Sequence, residues 1–102
     1  MKIYRASKDK NYTKIDNRYL RDPRLSEKTI GVFTIILSLP DTWDFTVEGF
    51  LTLCKDRKTA VRSALKELEQ YGYLTREQKR DADGRMGRVE YTFYEVSIKP
   101  PS

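Results

Sequence analysis

The last third of the chain constrains the fold most, because a helical pattern there runs directly into a β-hairpin pattern. The stretch YGYLTREQKRDADGRMGRVEYTFYEV, residues 71–96, holds two runs of strand-forming residues around a polar centre. Asp83-Gly84 favours a tight reversal at that centre. We therefore predict that residues 73–80 and 88–98 pair as antiparallel strands, with a bulge near Tyr94, where the alternation of apolar residues changes phase.

Three helices are predicted before this hairpin. The first is SEKTIGVFTIILSL, with Ser26 as its cap, and the second is VEGFLTLCK, with Thr46 as its cap. The third lies within DRKTAVRSALKELEQYGY, where Asp56 can cap the start and Gly72 can end the helix. Its apolar positions form one stripe that should face the core: Ala60, Val61, Ala64, Leu65 and Leu68.

Length and composition set the outline of the domain. A chain of 102 residues forms one domain, which we place at residues 12–98, with a flexible arm at 1–11 and the start of a linker or tail at 99–102. The alternation in YTKID, residues 12–16, predicts a short N-terminal strand. No apolar run approaches the ~20 residues of a membrane span, and the N-terminus lacks the apolar centre of a signal peptide, so we expect a cytoplasmic protein without a membrane partner.

The residue types argue against catalysis. The chain has one cysteine, Cys54, and no histidine, so it can build neither an internal disulfide nor a zinc site of Cys and His ligands. Nucleophile pairs that depend on histidine are also excluded, and no phosphate-binding glycine motif is present. We predict that the protein is not an enzyme and requires no cofactor.

Charge is segregated along the chain. Residues 1–25 carry a net charge of +5 and residues 55–88 a net charge of +4, whereas residues 26–54 between them carry −3. Clusters of Lys and Arg favour binding to a phosphate backbone, because each contact releases condensed counterions. The alternative is a random scatter of surface charge.

The third predicted helix carries the clearest charge pattern. Lys58, Arg62 and Lys66 recur every four residues and form one cationic stripe opposite the apolar stripe. Basic residues begin this helix and Glu67 and Glu69 lie near its end, which opposes the helix dipole. An anion docked at the start of the helix would reverse that penalty. The alternative is an ordinary solvated face in which Lys66 pairs with Glu69.

Three helices followed by a two-stranded hairpin is the order of a winged helix-turn-helix. We predict this α+β fold, with the short N-terminal strand added and the hairpin as the wing, and we expect it to bind double-stranded DNA. The third helix would enter the major groove and the wing would contact phosphates. The predicted DNA-binding residues are Arg57, Lys58, Thr59, Arg62, Ser63, Lys66, Arg80, Arg85 and Arg88.

Three segments also carry a family resemblance: NRYLRDPRLSEKTIG, LPDTWDFTVEG and AVRSALKELEQYGYLTRE. In them the chain resembles the winged-helix domains at the front of phage and plasmid replication initiators and DnaD-like primosomal proteins. The resemblance extends over residues 12–96. It implies a role in replication initiation or helicase loading, self-association as a homodimer or higher oligomer, and contact with a helicase or helicase loader.

Two alternative functions remain open. The first predicted helix is apolar around nearly its whole circumference, so it is either central to the core or half covered by a second subunit. The chain could then be an oligomerisation or protein-interaction scaffold with little DNA affinity of its own. Alternatively, the same DNA contacts would serve a transcriptional regulator. The predicted self-association residues are Ile30, Phe33, Ile36 and Leu37.

Overall fold

The structure is a computed structural model that describes residue 2 and residues 11–40, 42–55, 58–80, 82–84 and 86–99. Within these ranges the fold is α+β, with four helices followed by one two-stranded antiparallel sheet. The elements in chain order are α1 (Asn17–Leu20), α2 (Glu27–Leu37), α3 (Val47–Leu51), α4 (Lys58–Gln70), β1 (Leu74–Arg80) and β2 (Met86–Phe93).

The helix boundaries follow from local hydrogen bonding. The Ser26 hydroxyl accepts from the Thr29 N–H at 3.2 Å, and the Thr46 hydroxyl accepts from the Gly49 N–H at 3.0 Å, so both predicted caps are confirmed. Gly72 has φ +84° directly after α4, which confirms it as the stop. The predicted cap Asp56 lies outside the described residues.

The core forms where α2, α4 and β1 meet. The predicted apolar stripe of α4 is confirmed at Val61, Ala64, Leu65 and Leu68, all of which are buried. Burial of each leucine contributes roughly 1.5–3 kcal/mol. Phe33 of α2 lies edge-on to Tyr19 at 4.8 Å and to Tyr73 at 5.6 Å between ring centroids, and so joins three parts of the chain.

The predicted hairpin is confirmed, but its irregularity lies elsewhere. Leu74 pairs with Phe93 and Gln78 with Val89, and the register then shifts between Gln78 and Arg80. We had placed a bulge near Tyr94. The regular pairing ends there instead, with a last bond from the Tyr94 N–H to the Tyr73 carbonyl at 2.9 Å, because the chain then turns toward the end of α4.

The predicted strand at residues 12–16 is wrong for the single chain. These residues join no sheet, and Asp16 instead caps α1, a helix that the sequence reading did not include. The Asp16 carboxylate accepts from the backbone N–H of Arg18 at 2.8 Å and from the Arg18 guanidinium at 2.7 Å. These bonds lower the pKa of Asp16 to about 2. The backbone N–H of Asp16 donates to the Glu95 carboxylate, so it is not available to a strand partner.

A buried ion pair ties the segment before α2 to the end of α4. The Asp22 carboxylate accepts from the Arg24 guanidinium at 2.7 Å and from the Tyr73 hydroxyl at 2.6 Å. Arg24 also donates to the Lys99 carbonyl at 2.8 Å and lies over the ring of Tyr71. The network fixes the C-terminal residues 97–99 against the domain. Most of the predicted arm and tail lies outside the described residues.

Candidate nucleic-acid interface

The face of α4 opposite its buried stripe carries five of the predicted DNA-binding residues. Since an α-helix turns once every 3.6 residues, the apolar and polar positions of this helix fall on different sides. The apolar side is packed against the core, and the five predicted residues on the other side are all exposed. They are Lys58, Thr59, Arg62, Ser63 and Lys66.

A shallow concavity of about 410 Å³ runs beside this face of α4. It is lined by Thr59, Arg62, Ser63 and Lys66 and by Arg76 of β1. The structure thus brings four predicted residues together and adds one arginine that the sequence reading missed. Arg76 occupies the same side of β1 as buried Leu74, two residues earlier, so strand alternation could have indicated that it points toward α4.

Arg62 and Lys66 provide the uncompensated positive charge of the concavity. Neither makes an ion pair or hydrogen bond with any residue that the structure describes. The Lys66–Glu69 pair of the alternative reading does not form, and Glu69 pairs with Arg76 instead, whereas the solvated face itself stays an alternative. Two exposed cations without a carboxylate partner leave a positive potential that an incoming anion can neutralise.

Arg76 is held by Glu69 across the junction of α4 and β1. One guanidinium nitrogen of Arg76 lies 2.9 Å from Glu69 Oε1 and another lies 3.4 Å from Oε2. This hydrogen bond is the largest influence on both groups, lowering the pKa of Glu69 and raising the pKa of Arg76. The pair fixes the arginine in the concavity and offsets its charge.

Two further predicted cations lie beside α3, and each faces an acid. Lys58 Nζ lies 3.9 Å from a Glu48 carboxylate oxygen. Arg88 of β2, which we predict to contact phosphate from the wing, donates to Asp44 in the segment before α3. Glu48, Asp44 and Arg88 line one depression of about 400 Å³, so the two pairs are neighbours.

The remaining predicted contacts lie at the tip of the hairpin or outside the described residues. The Arg80 guanidinium donates to the Gly84 carbonyl at 3.3 Å and so folds back over the reversal. Arg57 and Arg85 lie outside the described residues.

The acids near the end of α4 have structural roles that explain the reversed charge order of this helix. The Glu67 carboxylate accepts from the backbone N–H of Ser26 and so supports the start of α2. Glu69 holds Arg76. The reversed charge order of α4 therefore gives little independent support for a bound anion. The support for an anion at this face comes from the exposed cations Arg62 and Lys66.

A second exposed surface carries apolar side chains near the end of α2. Of the predicted self-association residues, Phe33 and Ile36 are buried in the core of their own chain, at 0% and 7% exposure, and are not available to a second subunit in this fold. Ile30 and Leu37 pack partly against the same core. The exposed apolar residues nearby are Ile35 and Trp43.

No helix in the described part of the chain is long and apolar enough to cross a membrane. Among the same residues, no three His, Cys, Asp or Glu side chains are grouped so that they could hold a metal ion.

Comparisons with protein-family models, with curated proteins and with solved structures gave no match to this chain.

Proposed function

We propose that this chain is a winged-helix domain that binds double-stranded DNA, with the exposed face of α4 in the major groove and the β1–β2 hairpin as its wing. The observation that carries the proposal is the concavity beside α4, where Arg62 and Lys66 are exposed and have no ion-pair partner among the described residues. Groove-binding helices in helix-turn-helix proteins present such residues from a face that the core leaves open.

The order of the elements supports this proposal. Helix α3 and helix α4 pack together through a short connection, and α4 runs into the hairpin after Gly72. Thr59 and Ser63 line the same concavity as Arg62 and Lys66 and can donate to phosphate or to base edges. From the resemblance in sequence, we propose replication initiation or helicase loading as the process, with a regulator of transcription as the alternative.

The test is a duplex-binding titration across salt concentrations. Several phosphate contacts should give a log–log plot of affinity against salt that falls with a slope of roughly −0.9 per contact. We expect a slope of about −2 or steeper, since Arg62 and Lys66 alone supply two contacts. A response that stays flat across salt would contradict the proposal, and so would a failure to bind duplex at low salt.

A second candidate function is a self-association scaffold. It is favoured by a depression of about 350 Å³ at the C-terminal end of α2, lined by residues that include Leu37, Leu39 and Trp43. Trp43 in this depression is 38% exposed, and Ile35 of α2 is 39% exposed. Exposed apolar patches of this kind often mark protein interfaces.

Sedimentation at micromolar concentration tests this second candidate. We expect an oligomer that dissociates when Trp43 is replaced by Ser, whereas replacement of Leu53, an exposed apolar residue outside that depression, should leave the assembly unchanged. A wild-type protein that sediments only as a monomer would count against it.

A further inference from the structure

The cations around the proposed DNA-binding face fall into two groups. Arg62 and Lys66, at the centre, have no carboxylate within reach among the described residues. Around them, Lys58 faces Glu48, Arg76 is held by Glu69, and Arg88 donates to Asp44. We call these three the guarded cations and the three acids the guarding carboxylates.

The guarding carboxylates come from three different places in the chain. Glu69 is on α4 itself, Glu48 is in the first turn of α3, and Asp44 is in the segment before α3. Both Arg88 and Asp44 remain exposed, at 65% and 67% of their side-chain surface, and the same is true of Lys58 and Glu48. These pairs therefore lie at the surface, where a phosphate can compete for the cation.

A guarding carboxylate has two effects on a polyanion. It occupies the donor groups that a phosphate oxygen would use, and its own negative charge repels the phosphate at short range. Exposed ion pairs contribute little free energy in water, so a phosphate that is held by several other contacts can displace the acid from the cation. A phosphate that meets the cation without such contacts gains too little to displace it. A cation that stays paired releases no DNA counterion and adds nothing to the salt dependence of binding.

We infer that Asp44, Glu48 and Glu69 restrict DNA binding by this domain to the centre of α4, by holding Arg88, Lys58 and Arg76 away from phosphates. The inference rests on the proposed function. The three acids lower the non-specific affinity for DNA, because that affinity depends on the number of phosphate contacts. Contacts made by Thr59 and Ser63 to base edges are left in place.

The experiment removes two of the three guarding carboxylates, Asp44 and Glu69, singly and together. Asp44→Asn, Glu69→Gln and the double variant are titrated with a random-sequence duplex across salt concentrations. Each single variant should bind roughly threefold to tenfold tighter at low salt, and its log–log salt slope should steepen by about 0.9, because one more phosphate is contacted. The double variant should steepen by about twice as much.

The control is Glu27→Gln on α2. Glu27 is exposed, makes no ion pair with a described residue, and its replacement changes the net charge by the same amount. Thermal unfolding of each variant establishes that the fold is retained. Asp44 is on the surface, so its variant remains informative if Glu69→Gln disturbs the junction of α4 and β1.

The outcomes separate the inference from the proposed function. If the wild-type chain binds duplex with a steep salt dependence but the acid variants bind no more tightly than Glu27→Gln, the inference is overturned and the proposed function stands. If neither the wild-type chain nor any variant binds duplex, the proposed function fails and the inference fails with it. Duplex binding that appears only after the acids are removed overturns the proposed function of the wild-type chain, and with it the inference that the centre of α4 binds DNA while the acids are in place.

Discussion

At the scale of single residues, three glycines show how backbone conformation and the surrounding space each limit replacement by another residue. Gly72 and Gly84 both have φ +84°, a conformation that L side chains rarely adopt, whereas Gly31 lies within α2. A Cβ added at Gly72 would lie 2.6 Å from the backbone nitrogen of Lys99, but one added at Gly31 or Gly84 would meet nothing within 4 Å. A substitution at Gly31 thus meets neither obstacle, one at Gly84 meets backbone strain alone, and one at Gly72 meets both strain and steric contact.

We expect a graded response when each of these glycines is replaced by alanine. Gly31→Ala should stabilise the protein by up to about 1 kcal/mol, because alanine has the higher helix propensity. Gly84→Ala should cost about 1–2 kcal/mol through its left-handed backbone alone. Gly72→Ala should cost more, since the C-terminal segment must also move. Denaturant unfolding measures all three, and equal effects at residues 72 and 84 would contradict this order.

At the scale of secondary-structure elements, the sequence predicted what local rules determine and missed what depends on tertiary contacts. Ser26, Thr46 and Gly72 act through bonds to residues near them in sequence, so their roles could be anticipated. The expected strand at residues 12–16 failed because Asp16 is engaged by Arg18 and Glu95, and the second contact spans nearly the whole chain.

The same distinction holds for the candidate site. The exposed face of α4 follows from helical periodicity, and four of its predicted residues do line one concavity. The sequence predicted neither the pairing of Arg76 with Glu69 nor that of Arg88 with Asp44, because the two partners of each pair lie on different elements. Nothing in the spacing of charges along a sequence reveals such pairs.

The Asp22–Arg24 ion pair, which Tyr73 joins to the segment after α4, predicts how stability depends on pH. The Arg24 guanidinium, followed by the Tyr73 hydroxyl, holds the pKa of Asp22 well below its ordinary value of 3.8. The ionised carboxylate is therefore favoured in the folded state. Its contribution is complete above about pH 4 and is lost as the pH falls further toward the folded pKa.

Asp22→Asn tests this account by chemical denaturation across pH. We expect a loss of about 2–3 kcal/mol at neutral pH, because Arg24 and Tyr73 lose a buried charged partner. The difference between variant and wild type should shrink between about pH 4 and pH 2. A difference that is constant over that range would contradict the assignment.

The Tyr73 hydroxyl determines how the stability of the same network changes at alkaline pH. Burial, with the Asp22 carboxylate beside it, raises the pKa of the Tyr73 hydroxyl from 10.0 to about 12. The folded state thus keeps a proton that the unfolded state loses, so stability should fall as the pH rises from about 10 to 12. In Tyr73→Phe this part of the fall should be absent, and an unchanged alkaline profile would contradict the shift.

At the scale of the whole molecule, the net charge of +5 understates the difference between surfaces. One side presents Arg62 and Lys66 with no described acid in contact, and the depression near the end of α2 is lined mainly by apolar side chains. The two surfaces do not share a lining residue, so DNA binding and self-association are compatible in one protein.

The most direct measurement is the salt dependence of duplex binding by the double variant Arg62→Gln, Lys66→Gln beside the charge-matched control Lys14→Gln, Lys28→Gln. All four lysines and arginines are exposed, and only the first two line the concavity. Loss of two phosphate contacts should make the log–log slope shallower by about 2 in the first variant and leave it nearly unchanged in the control. Equal slopes in the two variants would contradict the assignment of α4 as the DNA-binding helix.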